Sequence, residues 1–387
     1  ALTTGDQNVA IGFEALKTED AASSSVAVGA LALSTQDAGA GDAYNTAVGR
    51  KAGFAVTTGV QNTLIGGLAG DALTNSVLNT AVGYQALTAA TTADLNTAIG
   101  ATSLSTNILS DRNVAVGYGS LATHNLATNA DAYNTAVGYA AGTALTTGIE
   151  NTIVGGRAGD AFTTGQENAV FGQQALSTDT AGNHSTAIGH GALFSQNFST
   201  STDTNNTAVG FSAGAAVTTG VHNTIMGSNA GDAITTGTRN IAIGSSALTT
   251  DTIGSRAVAI GYEALATQNF TTATDNYNIG IGFQAGYAVT TAVNNVLIGG
   301  IAGDALNTGG ENTAVGYIAL SADTKGAKSV AIGIGTLQVQ NFTTATDSYN
   351  TAVGYAAGNA VTTGIQNTLV GGIAGVALTT GRENVAV

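Results

Sequence analysis

The chain has 387 residues and lacks cysteine, proline and tryptophan altogether, and it contains a single methionine. Without cysteine there is no disulfide, no thiolate nucleophile and no Cys-ligated metal. Charge is also scarce: 9% of residues are charged, Lys and Arg together number 10, and the net charge is −14. A nucleic-acid partner would need a stripe of Lys and Arg to displace counterions, and an anionic membrane surface would need the same, so neither is expected. Long apolar runs are missing too. None approaches the ~18 residues that span a bilayer, so no membrane insertion is expected, and no basic-then-apolar leader precedes the first motif.

What the chain has instead is a repeat. A motif of the type N-T-A-[VI]-G recurs from Gly12 to Gly371, and its glycines are evenly spaced over most of the chain, as at Gly66, Gly83, Gly100 and Gly117. Wider intervals precede Gly138, Gly210, Gly282 and Gly354, and a slightly narrower wide one precedes Gly49. Such a short fixed period marks a solenoid, in which each coil buries its apolar face only against its neighbours. A longer period lies above it, stepping evenly from Gly138 to Gly210, Gly282 and Gly354, and each step holds three ordinary coils and one long coil. The blocks run over 134–205, 206–277 and 278–349, with a partial block over 350–387. Three and four residues beyond the glycine the block reads Ala-Gly, Ala-Gly, Ala-Leu, Ala-Leu, and the long interval follows the second Leu coil. No linker breaks the pattern, so residues 1–387 are expected to form one continuous β-solenoid of about 22 coils, ~100 Å long at the usual strand spacing. Ala1 lies mid-repeat and Val387 stops one residue short of a motif glycine, which suggests a fragment of a longer fibre.

The motif reads as a strand, because Thr, Val and Ile dominate it. Each coil is expected to hold this strand, a second short strand and a Gly turn. Successive residues of a strand face opposite ways, so the adjacent apolar columns, Ala47 and Val48 or Leu64 and Ile65, imply two buried faces. A coil this short has no second layer of its own, which points to a lateral oligomer. The small Ala column suits close approach between chains, and the Thr/Val and Val/Ile columns suit the coil interior. The motif asparagines, among them Asn62, Asn79, Asn96, Asn151, Asn223, Asn295 and Asn367, are expected to stack as an amide ladder, interrupted at Ser25, Ser185, Ser329 and Ala257. In the T-T-G triplets ending at Gly59, Gly148, Gly220 and Gly364, glycine is expected to supply positive φ.

The run Asn79-Thr80-Ala81-Val82-Gly83-Tyr84-Gln85-Ala86 resembles the YadA-like head repeat of trimeric autotransporter adhesins and related repeats of bacteriophage tail fibres. The resemblance covers essentially the whole chain, although each coil is about three residues longer than in the family. It implies a left-handed parallel β-roll, a side-by-side homotrimer, and a role in surface attachment outside the cell or on the virion. Regular block copying favours a tail-fibre shaft. An adhesin head on a bacterial cell surface is the alternative, and an ice-binding solenoid a third reading.

Catalytic motifs dissolve into the period, so no catalytic residue, metal or cofactor is expected. Gly210-Phe211-Ser212-Ala213-Gly214 fits G-x-S-x-G, but its Ser column elsewhere holds Lys51, Gln85 and Ala140. His124, His184, His190 and His222 fall in unrelated columns. The Asp71, Asp160 and Asp304 segments carry a calcium-loop-like G-G-x-A-G-D pattern that never occurs in tandem, and these acids read as turn-closing residues. The long coils are the candidate binding sites, because extra residues in a solenoid are extruded as loops on one face. The favoured reading of these segments is that Asn and Asp close the turn while Phe packs on a neighbouring loop; their weak candidates for contact with a host glycan or protein are Phe198 with Asp203, Phe270 with Asp275, and Phe342 with Asp347. The aromatics that follow the motif glycine, such as Tyr84, Tyr118 and Tyr139, would form either a glycan-stacking stripe or part of a chain interface.

Overall fold

A computed structural model of the chain describes residues 3–387. All regular structure among them is β-strand: 22 short parallel strands, one at each motif, make an all-β parallel solenoid. The register is strict. Thr63, Leu64 and Ile65 pair with Thr80, Ala81 and Val82 of the next coil, and Thr135, Ala136 and Val137 with Thr152, Ile153 and Val154.

Contacts divide the chain into two compact units, Ala1–His190 with Asn197–Asp203 and Gly191–Gln196 with Thr204–Val387. In the first, coils stack from Val9–Ile11 to Thr186–Ile188; in the second, from Thr207–Val209 to Val385–Ala386. Each unit repeats the same coil.

Each strand lasts three residues because the motif glycine ends it. Gly155 has φ +136°, and a Cβ there would sit 2.5 Å from the carbonyl oxygen of Gly172 in the next coil. Backbone conformation and coil-to-coil contact therefore both demand glycine. Three further corners adopt left-handed geometry without it: one residue before the motif asparagine (Gln61, Tyr133, Arg239), two after the glycine (Gln85, Arg157) and, in the Leu coils, four after it (Leu87, Leu176). Such residues are held there by the stacking on either side.

The middle residue of each strand points inward. Ala47, Leu64, Ala81, Ala98, Ala136 and Ile153 are fully buried. The residues flanking them, such as Thr46 and Val48, are only partly covered. This reverses the expected facing: the small column fills the coil interior, and the Thr/Val and Val/Ile columns form the outer face. A coil this narrow has room for only one side chain per strand, so the central position takes Ala or a single larger residue.

The Gly/Leu alternation solves a volume problem in that interior. In the Ala-Gly coils a large apolar residue three positions after the second glycine, Val56, Leu73, Leu145 or Phe162, enters the core. A Cβ at Gly70 or Gly159 would lie 2.7 Å from Leu73 Cδ1 or 2.6 Å from Phe162 Cδ2. In the other coils Leu87, Leu104, Leu176 and Leu193 fill that space directly. The position three residues later is then free to be polar, as at Asp179, Gln196, Asn107 and His124.

Two further expectations fail. Second short strands occur only around the long coils, as five parallel pairs that include Gly254–Ser255 with Thr274–Asp275 and Gly326–Ala327 with Thr346–Asp347. Elsewhere that side of the coil is turn. The T-T-G glycines have no positive φ; a Cβ at Gly59, Gly148, Gly220 or Gly364 would instead strike the carbonyl of Ser76, Gly165, Gly237 or Gly381. Close approach between coils, not turn geometry, selects glycine there.

Adjacent glycines test this reading. Gly155→Ala is expected to destabilise the chain by on the order of 3 kcal/mol through strain at positive φ and collision with the next coil. Nothing lies within 4 Å of a Cβ at Gly156, so Gly156→Ala should stay within ~0.5 kcal/mol of the parent. Chemical denaturation of the two variants checks the contrast.

Candidate functional site

In most coils the motif carries an asparagine whose side chain clamps the coil shut. Asn62 Nδ2 donates to the Ser76 carbonyl of its own coil at 2.8 Å and to Asn45 Oδ1 of the preceding coil at 3.3 Å. Asn45 Oδ1 also accepts the Asn62 backbone N–H at 2.9 Å. The same bonds recur at Asn79 and Asn151, at Asn223, Asn295 and Asn367, and without the amide-to-amide bond at Asn96. Each buried amide thus satisfies itself while tying the strand to the far side of the coil and to its neighbour.

At the long coils the ladder needs a substitute. Asn45, Asn278 and Asn350 follow Ser25, Ala257 and Ser329, which have no amide oxygen to offer. Buried Gln36, Gln268 and Gln340 supply it, their Oε1 accepting from the asparagine Nδ2 at 2.8–2.9 Å. Each glutamine then donates Nε2 to a buried acid: Glu19 Oε2 at 2.9 Å, Asp251 Oδ2 at 2.6 Å and Asp323 Oδ2 at 2.6 Å. The acids also accept backbone amides, Ala22 to Glu19, Gly254 to Asp251 and Gly326 to Asp323. Burial pushes the Asp251 carboxyl above its ordinary pKa, and the Gln268 hydrogen bond opposes the shift.

Above four of the five nodes lies a charged clip on the surface, and over the first the Ser24 hydroxyl donates to Asp42 Oδ1 at 2.8 Å. The long coils end in Asp42-Ala43-Tyr44, Asp131-Ala132-Tyr133, Asp203-Thr204-Asn205, Asp275-Asn276-Tyr277 and Asp347-Ser348-Tyr349. Arg112 pairs with Asp131, Arg256 Nε with Asp275 Oδ2 at 2.9 Å, and Lys328 Nζ with Asp347 Oδ2 at 2.6 Å. The same cations lie over the rings of Tyr133, Tyr277 and Tyr349, 5.3–5.9 Å from the centroids. Tyr133 and Tyr349 donate their hydroxyls to Asp131 and Asp347. Hydrogen bonds from Arg112 and then Tyr133 hold the Asp131 carboxyl below its usual pKa, and Lys328 does the same for Asp347. In the block of Asp203 the basic partner is His184, which lies between Asp203 Oδ1 at 3.5 Å and Glu167 Oε2 at 3.3 Å.

The expected Phe–Asp pairs therefore separate. Phe198, Phe270 and Phe342 are only 9%, 5% and 6% exposed, so they pack inward over the node. Phe342, for example, would meet a Cβ at Gly326, and its amide donates to Asp323 Oδ1 at 3.2 Å. Asp203, Asp275 and Asp347 remain on the surface with residues 199–201, 271–273 and 343–345. At the ends of the long coils the exposed aromatics are Tyr44, Tyr133, Tyr277 and Tyr349, which sequence reasoning passed over. The signal was the D-x-Y-N ending found in four of the five long coils.

The remaining motifs behave as parts of the repeat. Ser212 sits at a left-handed corner of a turn with no helix after it among the described residues. Asp71 accepts from Thr88 of the next coil, which makes it a bridge between coils and not a turn closure. Glu19, Asp20 and Asp37 approach one another closely enough to share a cation, but both Glu19 oxygens already accept hydrogen bonds. Among the described residues no helix is long and apolar enough to cross a membrane. No protein-family model matches the chain, and no curated protein does.

The ladder and the clips should respond differently to mutation. Asn223→Asp removes the donor to the Gly237 carbonyl and places a carboxylate against Asn206 Oδ1, with an expected loss of roughly 3 kcal/mol. Asp275→Asn weakens an exposed pair and is expected to cost less than ~1 kcal/mol. Denaturation midpoints of the two variants measure the difference.

Proposed function

We propose that this chain is a structural, adhesive fibre segment that works as a side-by-side homotrimer, without enzymatic activity. The observation that carries this reading is the outer apolar face. Val48, Ile65, Ile99 and Ile188 are 37–39% exposed, and the aromatics after the glycine, Tyr84, Tyr118, Tyr139 and Phe211, are 55–58% exposed. Two of these rings, Tyr118 and Tyr139, stack at 5.7 Å, as do Tyr262 and Phe283 at 5.6 Å. A contiguous apolar stripe of this kind marks an interaction surface. A second copy in register is its natural occupant, because every coil presents the same columns and a matching coil would meet it at each level.

The resemblance to YadA-like and tail-fibre repeats supports three copies, and the regular copying of a four-coil block supports a bacteriophage tail-fibre shaft. In that setting the segment lies on the virion surface. Its long coils, recurring every four coils or ~19 Å, would present rows of contacts to a host-surface glycan or protein. Weak sites repeated along each copy would reinforce one another.

Sedimentation equilibrium tests the assembly, with three chain masses as the expected result and a stable, folded monomer at micromolar concentration as the refutation. Ile65→Glu with Ile99→Glu changes only the outer face and is expected to yield folded single chains. Ala136→Glu buries a charge inside the coil and is expected to prevent folding itself.

A further inference from the structure

Five buried nodes close the long coils, and one has different chemistry. Three of them pair an acid with glutamine as described, and Asp179 and Gln196 occupy the same sequence positions in a fourth. In the fifth these positions hold Asn107 and His124. Here the preceding ladder residue is Asn113, whose Oδ1 still accepts the Asn134 amide at 3.3 Å, so the substitute amide is not required. His124 is 0% exposed. Its Nε2 lies 3.5 Å from Asn134 Nδ2, which makes it the acceptor, and its Nδ1 is buried without a hydrogen-bond partner. Asn107 is occupied with Ser110, accepting its amide at 2.9 Å and donating to its carbonyl at 2.8 Å.

No counter-charge waits for this imidazole. Burial drives its pKa down to about 4, opposed by the Thr146 carbonyl, which also accepts the Asn125 amide. The charged groups of the surrounding coils, Asp94, Asp111, Arg112, Asp131 and Glu150, act on one another and on Tyr133 at the surface, and none contributes to His124. The node of Asp251 behaves oppositely: burial raises that carboxyl, so acidification there neutralises a buried carboxylate and leaves no new buried charge, whereas at His124 it creates one.

We propose that the coil closed by His124 is an acid-sensitive joint, a point at which the first unit opens locally on mild acidification while the acid–glutamine coils stay closed. The sign follows from linkage. The folded-state pKa lies below the unfolded one, so the contribution of neutral His124 is fully present above pH ~6.5 and is lost as pH falls through that value toward 4. The opening equilibrium should rise by ~20-fold between pH 7 and pH 5.

Hydrogen exchange of amides 107–134, expressed as protection factors at both pH values, reads this directly. The parent chain is expected to lose protection there, while amides 251–278 keep theirs. Asn107→Asp with His124→Gln installs the acid–glutamine pair and should abolish the loss. The reverse pair, Asp251→Asn with Gln268→His, should create a second sensitive coil at 251–278. Equal protection at the two pH values in the parent, or an unchanged loss in the Asn107→Asp, His124→Gln variant, would overturn the proposal. Should a variant fail to fold at pH 7, titration of His124 by nuclear magnetic resonance decides: the ring is expected to stay neutral until about pH 4 in the closed state, and protonation near pH 6.5 without opening refutes the joint.

Discussion

Everything in this chain depends on successive coils closing at the same place. A solenoid coil has no partner for its backbone except the coils above and below, so a slip of one residue would turn every inward side chain outward. The motif asparagine prevents the slip. It spans its own coil through Nδ2 and holds the next coil's asparagine through Oδ1, so one side chain fixes closure and register together. The glycines make this possible, since backbone carbonyls of adjacent coils come too close for any Cβ to stand between them.

The four-coil block is then a use of that regularity. Coils whose corner position is apolar continue the core, with Val56, Leu73, Leu145 or Phe162 reaching inward. Coils with Leu four residues after the glycine already fill the core and release the corner for a polar node. The node in turn lets the next coil run long: Gln268 stands in for the missing amide at Ala257, Asp251 steadies Gln268, and Phe270 covers them. The surface then receives Asp275, Tyr277 and Arg256 as a clip. Interior packing and surface decoration are therefore linked through one column.

Much of the fold was legible because repetition magnifies weak signals: a three-residue strand is unreadable once but plain when copied along the whole chain. The period, the asparagine column and the long coils all came from spacing. Facing did not, because Ala beside Val alternates small and large without marking which is inside. Only the width of the closed coil decides that Ala47 goes in and Val48 out. Left-handed corners at Leu87 and Tyr133 were also hidden, since these residue types ordinarily avoid positive φ and accept it here under constraint from both neighbours. In the long coils the sequence left open whether Phe270 packs on a neighbouring loop or faces a receptor, and it did not single out Tyr277. The difference lies in buried Asp251, which comes from the preceding coil and sits beneath the phenylalanine, out of reach of any local reading of the sequence.

The stack of in-register coils exposes an outer Val/Ile face, and the proposed assembly covers it with further copies. A cryo-electron microscopy map of the purified chain tests both parts at once. The account predicts three parallel columns around a threefold axis, with strands spaced ~4.8 Å along each and the side chains of Ile65, Ile99 and Ile188 at the seams. A lone column with that face open to solvent, or columns meeting through the Asp275 and Asp347 edge, would contradict it.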